Sequence, residues 1–280
     1  MINYRQLDEV KESLKSAFRG ALSIRSLKID NFLEEGYVTQ LSNGLDEVIQ
    51  RVKKDPNAPK KHLHVSRKIG VHRPELMNQS HRDFFDEINS PRFIKYLEEV
   101  TGIYPIYPDP DLEGGGLHQI YPGGYLNAHT DFNFHPKHEK WQRKLNILFY
   151  MNEGWKPEWK GNLQLYSEDV STVLDEIEPI ANRMALFETS EISFHGHPEP
   201  LACPDGVTRK SLAAYFYTDW PDGLVPRSKT NYRLVPWQKK AIIEEVKNLR
   251  MKGVADREIK ENLSQRYQLS ALKELLPSVF

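Results

Sequence analysis

The chain has 280 residues, of which 39% are apolar and 28% charged, with a net charge of −1; that is the balance of a soluble globular protein with one large domain or two small ones. A charge so near zero carries no electrostatic footprint for nucleic acid or an anionic membrane surface. The single cysteine, Cys203, excludes an internal disulfide and a thiolate metal cluster and suits a reducing compartment.

The opening segment, "MINYRQLDEVKESLK", lacks the apolar stretch of a signal peptide. No apolar run approaches the roughly 20 residues of a membrane span, so a cytoplasmic location and no membrane partner are expected. Residues 1–102 read as mostly helical. Leu7, Val10, Leu14 and Ala17 recur at helical spacing over residues 3–18. A second helix is signed at both ends over 90–101: Ser90 can cap it, Pro91 suits its first turn, Phe93, Ile94 and Leu97 share a face, and Gly102 stops it. Between them, "KKDPNAPKKHLHVSRK" is basic and proline-bearing and reads as a loop.

From residue 103 the pattern changes. After "YPIYPDPDLEGGG" come short apolar runs separated by turn residues: "LHQIY", "LNILFYM", "NLQLY", "RMALFE" and "SLAAYFYT". Many short strands point to a sandwich or jelly roll over 103–220, with helices packed outside it. Beyond residue 234, "WQKKAIIEEVKNLRMKG" carries an apolar stripe of Ile242, Val246 and Leu249 and ends at Gly253. The domain reading is one unit over 1–234 with a helical extension over 235–280. The stripe either covers the sheet or meets a second copy as a homodimer; packing within the chain is preferred.

Within "GGYLNAHTDFNFHP", His129 and Asp131 stand two apart. On an extended backbone their side chains share a face. One imidazole and one carboxylate make two thirds of the facial triad that holds non-haem Fe(II) with open positions. The pair alone is weak, because a solvated loop gives the same spacing. A third ligand is offered by His195 or His197 in "SFHGHPEP". Downstream, Arg209 opens an apolar strand with Ser211 on its face; a guanidinium and a hydroxyl so placed can hold a carboxylate.

In that order and spacing the segments resemble the Fe(II)/2-oxoglutarate-dependent dioxygenases, and within them the prolyl-4-hydroxylase-like branch. The resemblance spans residues 115–220 and rests on "YPGGYLNAHTD", "RKLNILFYMNEGWKPEWKGNLQLY", "SFHGHPEP" and "RKS". It implies a mainly β fold with flanking α-helices, a double-stranded β-helix or jelly roll. It also implies Fe(II) held by His129, Asp131 and His195, the last preferred over His197 because the ligand in the family directly follows Ser-Phe. Arg209 and Ser211 would take the distal carboxylate of 2-oxoglutarate with Tyr150, and Tyr121 would lie near its chelating end. O2 would be the second cosubstrate, with ascorbate a candidate reductant. The implied reaction hydroxylates an unactivated C–H bond of a small metabolite, amino acid or prolyl/peptide substrate, with release of succinate and CO2. No nucleic-acid partner is implied.

The sequence departs from the family in three places. The anchor is arginine where collagen-type members use lysine, "LACPDGV" lengthens the segment before it, and Lys160-Gly161 stands for the usual glycine pair. Asn127, Asn133 and Asn146 are weaker candidates for substrate contact. Arg143 reads as a substrate contact or a surface charge, His135 and His138 as loop residues, and His118 as either a structural or a cavity histidine. The competing readings are a cupin-like metalloenzyme without 2-oxoglutarate and a silent ligand-binding jelly roll. Succinate formation separates them.

Overall fold

A computed structural model describes residues 1–54 and 65–280. The proline-bearing segment read as a loop falls largely on 55–64, outside the described residues. Helix α1 (Tyr4–Gly20) is followed by β1 (Ser26–Ile29), α2 (Tyr37–Lys53), β2 (Val65–Val71), α3 (Gln79–Ile88) and α4 (Pro91–Thr101). The strands then run in succession: β3 (Gly116–Thr130), β4 (Phe134–His135), β5 (His138–Tyr150), β6 (Leu163–Tyr166), β7 (Val173–Ile177), β8 (Met184–Glu188), β9 (His195–His197), β10 (Arg209–Asp219) and β11 (Asn231–Tyr232). Helices α5 (Pro236–Met251), α6 (Asp256–Ser264) and α7 (Leu269–Leu275) close the chain.

The strands form one strongly curved antiparallel sheet in the order β1-β8-β5-β10-β3-β9-β6-β7, the jelly roll implied by the resemblance. Its hinge is β3. The first part of that strand pairs with β10, from Gly116 opposite Ala213 to Ile120 opposite Arg209. The last part pairs with β9, His129 opposite His195. Between them, Gly123 and Gly124 bond Leu201 instead, so β3 leaves one sheet and enters the other.

Alternation along the strands divides the side chains into two sets. Leu145, Ile147 and Phe149 of β5, Leu212, Ala214 and Phe216 of β10, and Met184 and Leu186 of β8 face outward, into one core with Leu7 and Phe18 of α1, Leu41 and Leu45 of α2, and Phe93 and Leu97 of α4. Helix α4 has the ends its sequence announced. Ser90 accepts the Phe93 N–H, and Gly102 takes the left-handed conformation (φ 73°) that stops a helix.

Two sequence expectations change. Val65–Val71 is a strand, although its first four residues read as loop from their polar sequence; β2 sends Lys68 to the cavity and Val71 to the core. The C-terminal stripe does not cover the sheet either. Ile242 and Val246 pack with Ile259, Leu263 and Leu272 as a separate small core. That consumes within the chain the apolar face a homodimer would have used. Among the described residues no helix is long and apolar enough to cross a membrane.

Candidate active site

The inward set of side chains lines a cavity of about 230 Å³ between the two sheets. His129 and Asp131, two apart at the end of β3, meet His195 of β9 across the pairing between those strands. His129 Nε2 lies 3.6 Å from Asp131 Oδ1, and His195 Nε2 3.3 Å from Oδ2. Both rings are 5% exposed. Gly196 between the two β9 histidines has a steric reason: a Cβ there would stand 2.7 Å from the Leu126 carbonyl oxygen.

The hydrogen bonds behind the rings fix what their front edges offer. His129 Nδ1 lies 2.8 Å from the Asn127 carbonyl and His195 Nδ1 3.0 Å from the Ser193 carbonyl. A carbonyl only accepts, so each Nδ1 carries a proton, and in the neutral form of either ring the lone pair is the Nε2 one turned toward Asp131. Burial, with His195 alongside, lowers the His129 pKa and favours its neutral form. Burial alone would raise the Asp131 carboxyl, but Arg143, first among its neighbours, outweighs it and holds the pKa well below the usual range. Two lone pairs and a carboxylate thus face one another in a buried space. Acceptors so arranged repel unless a cation lies between them, and two imidazoles with one carboxylate are the donor set suited to Fe(II). The residues present fit that metal.

Arg143 is not a surface charge. It is 2% exposed, lies 3.3 Å from the Tyr215 ring centroid, and places Nη2 2.8 Å from Asp131 Oδ2. Asn146 donates to the same Oδ2 (2.8 Å) and accepts from Arg143 Nε (2.9 Å). The two hold the carboxylate in place from behind.

Arg209 is 4% exposed at the far end of the cavity. Its Nη2 donates to the Tyr150 hydroxyl (3.2 Å) and its Nε to the Gly161 carbonyl (2.7 Å). Gly161 has a positive φ of 83°, and a Cβ there would press on Leu201 and on Arg209 itself. Ser211 stands opposite Tyr150 in the register, facing the same cavity. Lys210 points the other way, to Ser42 and Asp46. His118 and His197 line the space between Arg209 and Asp131. Burial, then the neighbouring cations, pushes both well below the usual histidine range. Both nitrogens of His197 are buried without a hydrogen-bond partner among the described residues, an arrangement that asks for a polar ligand.

The remaining candidates separate. Tyr121 is not in the cavity. It alternates to the other face of β3, lines an open groove of about 630 Å³, donates to Gln119 Oε1 (2.8 Å), and has Lys53 over its ring. Asn127 accepts from Gln238 (2.7 Å), and Asn133 joins Glu191, Val225 and Arg227. Both tie the polypeptide together, and neither is among the residues lining the cavity. The sequence reasoning missed Lys68, Thr230 and Tyr232, which also line the cavity. Tyr232 pairs with His129 through β11 and lays its ring 5.3 Å from the imidazole. Lys68 alone had a local signal, as a cation in a short alternating run.

Comparison with known proteins follows this geometry. Residues 115–217 match the sequence model of the 2OG-Fe(II) oxygenase superfamily. The matched segment, from β3 through most of β10, holds His129, Asp131, His195 and Arg209. The chain has the fold of a Trichoplax adhaerens prolyl hydroxylase solved in complex with a hypoxia inducible factor peptide fragment, with a TM-score of 0.55 and 17% identity over 77% of this chain and 93% of that one. A prolyl 4-hydroxylase from Phytophthora capsici superposes with a TM-score of 0.54 and 20% identity, over 100% of this chain and 88% of that one. No curated protein sequence matches the chain.

Proposed function

We propose that the protein hydroxylates an unactivated C–H bond of a small metabolite, amino acid or prolyl/peptide substrate, using O2 and 2-oxoglutarate, with His129, Asp131 and His195 holding Fe(II). The observation that carries the reading is the pair of tautomer-fixed imidazoles facing one carboxylate, in the same closed cavity as a buried arginine. Residues 1–234 form the catalytic unit in this reading, and 235–280 a helical extension. Cys203, a buried thiol whose pKa burial raises, suits the reducing cytoplasm, where ascorbate would serve as reductant.

When bound, iron and 2-oxoglutarate supply the oxidising power, releasing succinate and CO2. The protein's residues do the rest. Arg209, with the Tyr150 and Ser211 hydroxyls, receives the distal carboxylate. Asn146 and Arg143 keep Asp131 ionised and oriented. Leu148, Leu163 and Phe187 make the cavity wall apolar between these polar points, which keeps bulk water from the reacting carbon. Tyr232 packs its ring against the imidazole of His129.

The test is anaerobic titration of the Fe(II) protein with 2-oxoglutarate, followed by its metal-to-ligand absorption, and then succinate release in air. Arg209→Ala should weaken 2-oxoglutarate binding by roughly 2–5 kcal/mol, because a carboxylate loses its buried charged partner, with iron binding retained. An unchanged affinity would remove Arg209 from the site.

A further inference from the structure

Strand β2 brings a second cation to the cavity. Ile120 of β3 has Arg209 opposite it on one side and Lys68 opposite it on the other. Residues directly opposite point to the same face, and both Arg209 and Lys68 line the cavity. Pairing of β2 with β3 jumps between Ser66 and Lys68, from Tyr125 to Ile120. At that jump Arg67 takes a positive φ of 52° and donates to the Pro122 carbonyl. Irregularities of this kind re-aim a side chain next to active sites; here the residue re-aimed inward is Lys68.

The charges of the cavity do not balance. Among the described residues its lining holds Lys68, Arg143 and Arg209 and a single carboxylate, Asp131. Arg143 is committed to Asp131. On the reading above, Arg209 takes the distal carboxylate of 2-oxoglutarate. Lys68 is left, and among the described residues no carboxylate lies within ion-pair distance of it. An enclosed ammonium without an anion is costly. Desolvation, and then Arg209, bring the Lys68 pKa down to about 8, against the pull of Asp131, so at neutral pH it remains mostly protonated. Lys68 also keeps partial exposure where Arg209 is buried, so it is the more accessible of the two cations to a second ligand.

We propose that Lys68 is a specificity-determining residue that receives a carboxylate of the primary substrate, which makes that substrate a small organic acid or free amino acid rather than an internal residue of a polypeptide. The inference rests on the 2-oxoglutarate reading. A cavity of about 230 Å³, below the roughly 300–1,000 Å³ of ordinary ligand pockets, favours a compact acid beside the cosubstrate.

The test compares wild type with Lys68→Gln and Arg209→Gln in two measurements. Calorimetry under anaerobic conditions gives 2-oxoglutarate affinity. Succinate release is then followed with a panel of free L-amino acids, 2-hydroxy acids and dicarboxylic acids, with their carboxamides and a blocked prolyl peptide. The expectation for wild type is stimulation by one or more acids and at least about tenfold less by the matching amide, the loss of one charged partner. Lys68→Gln should abolish that discrimination while keeping 2-oxoglutarate affinity within about twofold, since it leaves the distal anchor intact. Three results would overturn the inference: an affinity loss in Lys68→Gln matching that of Arg209→Gln, which assigns Lys68 to the cosubstrate; stimulation by amides or peptide equal to that by acids; or stimulation by no acid. Failure of wild type to bind 2-oxoglutarate would instead sink the underlying reading, so the two failures are distinguishable.

Discussion

Among the described residues two clusters bring histidine and carboxylate together, and only one of these offers electron pairs to a metal. His129, Asp131 and His195 form the first; Asp109, Asp111 and His135 form the second. In the first, both Nδ1–H groups are spent on carbonyls behind the rings, so the Nε2 lone pairs look into a cavity. In the second the direction is reversed. His135 Nδ1 accepts the Lys137 N–H (3.1 Å), so its proton sits on Nε2 and is given to Asp109 Oδ1 (3.2 Å). Asp109 also accepts from the backbone of Asp111 and Glu113, and Asp111 is engaged by Lys137. The second cluster is a buried clamp on the loop before β3. Residue types and proximity do not distinguish the two; the partner of each ring's rear nitrogen does.

The largest expected effect breaks the first cluster. Asp131→Ala or His195→Ala should lower Fe(II) affinity by a factor of 100 or more, roughly the upper end for loss of a metal-site group, and abolish succinate formation. His135→Ala should keep full metal stoichiometry. Equilibrium dialysis of the three variants decides it; metal lost with His135, or retained without His195 but lost in His197→Ala, would reverse the assignment.

Next comes the clamp. His135→Ala leaves the buried Asp109 carboxylate without its one side-chain donor, its backbone donors remaining, a cost of roughly 1–3 kcal/mol. Denaturant melts should show it as a lowered midpoint at unchanged slope. A smaller effect, about tenfold in metal affinity, is expected for Asn146→Ala, which removes a hydrogen bond orienting a ligand; if the affinity held, Asn146 would be a substrate contact only.

The smallest concerns another buried histidine, His81, which lies outside both clusters. His81 gives Nε2 to the Leu41 carbonyl (3.0 Å), and burial lowers its pKa below the usual value. Its folded pKa is depressed, so its contribution is intact above the unfolded value near 6.5 and declines as pH falls below it, by at most about 1.4 kcal/mol per pH unit. Stability measured from pH 7.5 to 5.5 should fall more steeply in wild type than in His81→Gln. Parallel curves would show that His81 does not titrate in this range.

The jelly roll and its outward core were legible because their residues are apolar at regular intervals: "LNILFYM" and "SLAAYFYT" could only be buried strands. The β3 histidine and aspartate, the distal histidine and Arg209 were legible as ordered motifs. What stayed hidden was polar and non-local. The β2 strand carries "SRK" where core strands carry Val or Ile. Arg143 reads as a surface charge until Asp131 and Tyr215 close around it. Tyr232 lies about a hundred residues beyond His129, and no spacing predicts that their rings meet. Tyr121 failed by parity: the strand alternation places Ile120 inward, and its neighbour must face away.

The small contact between Gln238 and Asn127 makes the last helices something other than an appendage. Gln238, 1% exposed at the start of α5, accepts the Val235 N–H and donates to Asn127, the residue whose carbonyl holds the Nδ1 proton of His129. Chemistry at the front of that ring is therefore underwritten by chain that folds around a different core. A shortened protein ending at residue 234 would keep all three metal-facing side chains and lose the brace behind one of them, so the boundary suggested by hydrophobic clusters is a poor place to cut.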